Sequence, residues 1–216
     1  MDIHKQSDCA VRVGIFSGER LTQRQKSILE RIAPFFTEGA AREILVPYVE
    51  QKSGISLRAL DWLVTNYAKK HNIVCRTSTN TLFNIYHGYK TALNHFRRRN
   101  FDPFRRRQRI QVLDATGEVL CESTVGQCNF LYWSHTNGVL QYAMDYAATI
   151  EMDMNRASAA NKAERRRQKQ QGVAHRRREL SCAPRAKCSV YQIDTSVNFD
   201  MTASDSDEDA ASGGHD

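Results

Sequence analysis

Apolar residues recur at helical spacing as far as Asn155, and there the pattern stops. This boundary constrains the fold most, because only the part before it can bury enough side chain to offset the entropy of ordering. Inside it, Ser56 can cap a helix in which Leu57, Leu60, Leu63, Val64 and Tyr67 form one stripe. Lys69, Lys70 and His71 fall at its end, where the negative helix terminus favours cations. A second stripe, Leu82, Tyr86, Tyr89, Leu93 and Phe96, predicts a helix from Thr81 to about Arg99. A third, Leu140, Ala143, Ala147, Ile150 and Met154, predicts a last helix over 139–155.

Other elements fill the remaining stretches. Thr22 and Gln25 have capping-box spacing and open a helix with Ile28, Leu29 and Ile32 on one face, which Pro34 ends. A helical stretch from Glu38 is broken by Pro47 and stopped at Gly54. Val11–Phe16 alternates and can form one short strand within an N-terminal segment over 1–20. Two β-rich runs around Gly117 predict a hairpin over about 109–123. Thr124 and Gln127 offer a second capping box for the next helix.

The predicted fold class is α+β and mostly helical. A globular domain of several amphipathic helices with one β-hairpin spans 21–155. A disordered tail over 156–216 follows, basic over 156–188, where a conditional helix is the alternative, and acidic over 200–216.

Charge narrows the partners. The net charge is +7, yet the segment from Asp200 to Asp216 holds six acidic residues and no Lys or Arg, so the rest of the chain carries +13. That sign favours anionic partners. The segment Phe96–Ile110 holds seven arginines in fifteen residues: Arg97, Arg98, Arg99, Arg105, Arg106, Arg107 and Arg109. Asp102 is the only carboxylate among them. Arginine binds phosphate bidentately, and aromatic rings between arginines can stack on bases. Phe101 and Phe104 are candidates for that role, with burial in the core as the alternative for both; Phe96 completes a helical stripe and belongs to the core. For the arginines the alternative is a solvent face paired with carboxylates from elsewhere in the fold. In the tail, Arg165, Arg166, Arg167, Lys169, Arg176, Arg177 and Arg178 read as a cationic arm or as a bipartite nuclear import signal.

Several function classes lack support. Cys9, Cys75, Cys121, Cys128, Cys182 and Cys188 have no zinc-binding spacing, so no metal and no cofactor is expected. No phosphate loop, zinc-protease or nucleophile-elbow motif occurs, so the chain reads as non-enzymatic. An enzyme would need clustered acidic or histidine residues in a concave site. No secretion signal or membrane-length apolar run is present, which predicts an intracellular protein without a membrane partner.

The stretches ISLRALDWLVTNYAKKHNI, FNIYHGYKTALNHFRRRNFDPFRRRQRI and STVGQCNFLYWSHTNGVLQYA occur in that order. Together they resemble an uncharacterised protein family of large nucleocytoplasmic DNA viruses, of the mimivirus and algal-virus kind. In that family a helix ending VTNY-KK precedes FDPF-RR-RI and then a T-x-GQ-NF helix. The resemblance implies a viral context, in host cytoplasm, nucleus or virion, and carries over no activity, cofactor or catalytic residue. The combined expectation is a nucleic-acid-binding protein acting in genome packaging or late gene expression, with DNA ahead of RNA as the partner and other virion proteins as further contacts. The alternative is a structural or scaffold virion protein docking an acidic protein surface.

Overall fold

Gly14 takes φ +58 between two β-rich runs, and the chain turns back on itself there. β1 (Val11–Val13) and β2 (Phe16–Gly18) are therefore two antiparallel strands where the sequence predicts one. The computed structural model describes residues 11–171. Both halves of the first capping box form: Thr22 Oγ1 accepts from Gln25 N at 3.3 Å, and Gln25 Oε1 accepts from Thr22 N at 2.9 Å. They start α1 (Gln23–Ile32), which buries Ile28, Leu29 and Ile32.

Pro47 does not break the next stretch. α2 (Glu38–Ala40), a π-helical turn (Ala41–Leu45) and α3 (Val46–Val49) run through it. The wide turn shifts the acceptor by one residue, with Val46 N donating to Ala41 O, and so makes room for the proline ring. Ser56 Oγ accepts from Ala59 N at 3.1 Å and caps α4 (Leu57–Trp62). A second π-helical turn (Leu63–Tyr67) leads into α5 (Ala68–His71), which ends at left-handed Asn72. Leu60, Leu63, Val64 and Tyr67 are buried, as their stripe predicts.

β3 (Val74–Arg76) pairs with β4 (Leu82–Asn84), so the following helix starts later than expected. The Asn84 side chain caps His87 N at 3.0 Å, and α6 runs over Ile85–Phe96. Leu82 matches the helical spacing but lies in the strand, 73% exposed. Ile85, Ala92 and Phe96 form the buried face of α6.

β5 (Arg109–Leu113) and β6 (Val119–Thr124) make the predicted hairpin and join the first pair in an antiparallel sheet of order β1-β2-β5-β6. α7 (Val125–Thr136) follows directly and passes through the core. Nine of its twelve residues are buried, so it has no one-sided stripe.

The expected last helix breaks at Tyr146 into α8 (Val139–Asp145) and α9 (Ala147–Gln170). Of the two readings for the chain from residue 156, disorder is corrected over 156–170 and the helical alternative holds there, since α9 continues to Gln170. Its composition cannot fill a core, but Ala, Arg, Lys and Gln are strong helix formers, and an anchored first half supplies the costly nucleus. The anchor is Asp153, which accepts from Trp62 Nε1 at 3.0 Å and Lys70 Nζ at 2.6 Å. Burial raises the Asp153 carboxyl, but these two donors outweigh it and hold the group below the usual range. The expectations for residues past 171 lie outside the described residues. Among the described residues no helix is long and apolar enough to cross a membrane.

Candidate nucleic-acid interface

The arginine junction begins where α6 ends. Arg97 N donates to Leu93 O at 2.9 Å, and its φ of 64° and ψ of 153° turn the chain sharply out of the helix. A 3-10 turn (Arg98–Asn100) follows, and Phe101 then drops into the core at 1% exposure. Its ring centre lies 5.7 Å from Phe96, 5.3 Å from Phe130 and 5.4 Å from Trp133. The expected stacking role of Phe101 is therefore corrected. It anchors the junction and leaves no face for a base.

Helix α7 holds the junction backbone from beneath. Asp102 N donates to Gly126 O at 3.3 Å, Gln127 Nε2 to Pro103 O at 2.9 Å, and Asn129 Nδ2 to Asn100 O at 2.9 Å. Asn129 Oδ1 also accepts from Arg31 Nη2 at 2.8 Å. Gln127 Oε1 accepts from Ser123 Oγ at 2.8 Å, so this side chain does not close the second capping box. Only the Thr124 half forms, with Oγ1 accepting from Gln127 N at 3.1 Å. A Cβ at Gly126 would lie 3.3 Å from Arg99 O and 3.4 Å from the Phe101 and Asp102 nitrogens, so glycine permits this approach. The FDPF and GQ-N stretches are two sides of one joint.

The seven guanidiniums around that joint differ in their partners. Arg97, Arg98, Arg99 and Arg107 are exposed and have neither hydrogen bond nor ion pair among the described residues. The other three have partners. Arg105 Nη1 donates to Glu122 O at 3.2 Å, and Arg109 Nε lies 3.5 Å from Glu122 Oε1. Arg106 sits over the Phe104 ring at 4.4 Å, with Nε 4.0 Å from Asp102 Oδ2. Among the described residues, ion pairs within 4.0 Å thus reach Arg106 and Arg109 only, and exposed pairs of this kind contribute little. Phe104 is half-buried, with the Arg106 guanidinium covering its ring.

Of the tail arm, Arg165, Arg166, Arg167 and Lys169 are exposed on α9. Lys162, Arg165, Arg166 and Lys169 follow i, i+3, i+4, i+7 and share one helix face. Arg167 Nε instead pairs with Glu164 Oε2 at 3.2 Å. Arg176, Arg177 and Arg178 lie outside the described residues.

Between α4, α6 and the junction lies a cavity of about 210 Å³ that the sequence did not reveal. Asp61, Thr65, Tyr89, Arg98, Asp102 and Arg106 supply its polar groups. Burial pushes the Asp61 carboxyl up to about 6; the Asp102 charge adds to this, and Arg106 and Arg98 oppose it. Burial pushes the Tyr89 hydroxyl up to about 12. One signal was present: Asp61 interrupts an apolar helix between Leu60 and Trp62. Asp61 and Asp102 thus place two carboxylates in one concave site, the arrangement an enzyme would require.

Cys75, Cys121 and Cys128 are buried, and burial raises all three thiols, Cys121 to about 11 and Cys128 to about 12. They behave as small packed side chains. Among the described residues no three metal-ligating side chains come together.

A model of a family of unknown function, DUF7197, matches residues 15–213. A protein of Acanthamoeba polyphaga mimivirus, called uncharacterized protein L507, is 27% identical over 176 residues, covering 78% of this chain and 68% of that protein. No solved structure matches.

Proposed function

The chain belongs to the family of unknown function DUF7197, and we propose that it is a non-enzymatic nucleic-acid-binding protein of a large DNA virus. Its arginine junction grips phosphates during genome packaging or late gene expression, in host cytoplasm, nucleus or virion. The observation that carries this reading is the set of four exposed guanidiniums, Arg97, Arg98, Arg99 and Arg107, that form no ion pair among the described residues, on a backbone fixed by buried amides of α7; of the four, Arg98 alone also faces the Asp61 charge across the cavity. A fixed backbone holds like charges together at a cost that phosphate oxygens offset. The basic face of α9 adds non-specific affinity. The mimivirus relative supports the viral context.

Fluorescence anisotropy of labelled duplex DNA and single-stranded RNA across a salt series tests the reading. For duplex DNA, four phosphate contacts give a slope of log affinity against log salt of about −3.6. Converting the four arginines to alanine in the full chain should remove most of that slope on any sequence. A slope unchanged by the substitutions refutes the role of the junction. Absence of binding, together with self-association in sizing chromatography, favours a scaffold protein docking an acidic surface.

A further inference from the structure

The cavity under the junction contains two polar groups that the protein leaves unsatisfied. The Asp61 carboxylate and the Tyr89 hydroxyl are partly buried, and neither hydrogen-bonds to a described residue. Such groups face water or a ligand. Asp102 is already engaged, with Oδ1 accepting from Phe104 N at 3.0 Å and Oδ2 facing Arg106. Asp61 is therefore the carboxylate available for binding. Arg98 and Arg106 bring guanidiniums to the same cavity, and Tyr89 brings an aromatic ring beside Phe104, one face of which Arg106 covers. Guanidiniums for phosphate, rings for stacking and one carboxylate for N–H donors together match a nucleotide. A volume of about 210 Å³ lies below the roughly 300–1,000 Å³ of drug-sized pockets, so it suits one base. The backbone around it is unusual twice over, with Thr65 in a π-helical turn and Arg97, beside Arg98, at φ 64°. Both features gather at functional sites.

We infer that this cavity seats one unpaired base of the strand held by the arginine junction, and that the base is guanine. This rests on the phosphate-binding role proposed above. An ionised carboxylate offers two acceptor oxygens and no donor. Guanine presents adjacent N–H donors, N1–H and the N2 amino group, on the edge freed by unpairing. Adenine and cytosine set a ring acceptor beside their amino group, and thymine and uracil flank one N–H with carbonyls, so each repels a carboxylate oxygen. Arg98 and Arg106 take the flanking phosphate, and the Tyr89 hydroxyl meets the seated nucleotide beside Asp61.

The experiment compares oligothymidylate with oligothymidylates carrying one central guanine, adenine or cytosine, by anisotropy with the full chain. The guanine strand should bind about tenfold tighter. Asp61→Asn, which keeps the side-chain shape, should bring it to the level of the others without changing the salt slope. Tyr89→Phe should weaken the guanine preference several-fold and decides the matter if Asp61→Asn does not fold. Equal affinity for all four strands, or a guanine preference that survives the folded variants, overturns the cavity assignment. Salt-dependent but base-blind binding would leave the junction's phosphate role standing, whereas no salt-dependent binding to any strand refutes both. Competition by GMP without any strand preference would identify a free nucleotide as the occupant and overturn the strand-borne base.

Discussion

Replacing Arg97 with glycine should make the protein more stable and a weaker binder at once. Its φ of 64° with ψ of 153° lies in a region that non-glycine residues rarely occupy, at a cost of order 1–3 kcal/mol. The residue cannot relax, because Arg97 N is bonded to Leu93 O at 2.9 Å and Arg97 O accepts from Asn100 N at 3.0 Å. The buried Phe101 fixes the chain beyond. Glycine removes the strain but adds roughly 0.4–1 kcal/mol of unfolded-state entropy. The net gain is about 1 kcal/mol, or about 2–4 °C in Tm for a chain of this size. The Arg97 side chain is exposed and unpartnered, so its loss costs the fold nothing, while one lost phosphate contact reduces the duplex salt slope by about 0.9. Arg97→Ala is the comparator, since it loses the same charge and keeps the strained Cβ. Thermal melts and salt-series anisotropy of the three full-length proteins provide the assay. If the glycine variant melts no higher than the alanine variant, the turn is unstrained and the reasoning fails.

Gln127→Leu leaves Pro103 O and Ser123 Oγ without their buried partner, and a loss of about 2–4 kcal/mol should appear in urea titration. Phe101→Ala should cost about 3–5 kcal/mol, whereas Phe104→Ala should cost under about 1 kcal/mol in urea titration and act on binding, which separates the core ring from the rim ring. Asp61 carries a carboxyl raised to about 6 when folded, so its protonated form favours the fold. That contribution is complete below the unfolded value near 4 and is lost as pH rises through about 6. Asp61→Asn should therefore stabilise the protein by on the order of 2 kcal/mol at pH 8 and hardly at all at pH 4, read from denaturation midpoints.

Much of this architecture was legible where a local period or cap decided it. The Leu57–Tyr67 stripe, the Thr22–Gln25 box and the hairpin around Gly117 depend on neighbours within a few residues. The β3–β4 pair was hidden because Leu82 happens to extend the spacing of Tyr86, Tyr89 and Leu93. The π-helical turn before Pro47 left no compositional trace. For residues 156–170 composition left disorder and conditional helix open, and the tether that decides for the helix, Asp153 on Trp62 and Lys70, is a tertiary contact. At the site, the arginines were plain but their surroundings were not. Phe101 and Phe104 are chemically alike in a turn without a period, so only tertiary packing separates them. Asp61 and Tyr89 come from separate helices, and Gly126, Gln127 and Asn129 reach the junction from beyond the hairpin.

Surface loops usually open independently of the protein beneath them, at the low end of its opening free energies. The bonds from Gly126, Gln127 and Asn129 attach this one to a helix at the centre of the core. The arginine surface therefore belongs to the same cooperative unit as the core. Under the proposed phosphate role, a nucleic acid would meet it already assembled, so little ordering entropy would be lost on capture and no folding step would slow the encounter. On heating, the surface should disappear together with the fold, so that the binding proposed for it would end abruptly where a free arm would lose it by degrees.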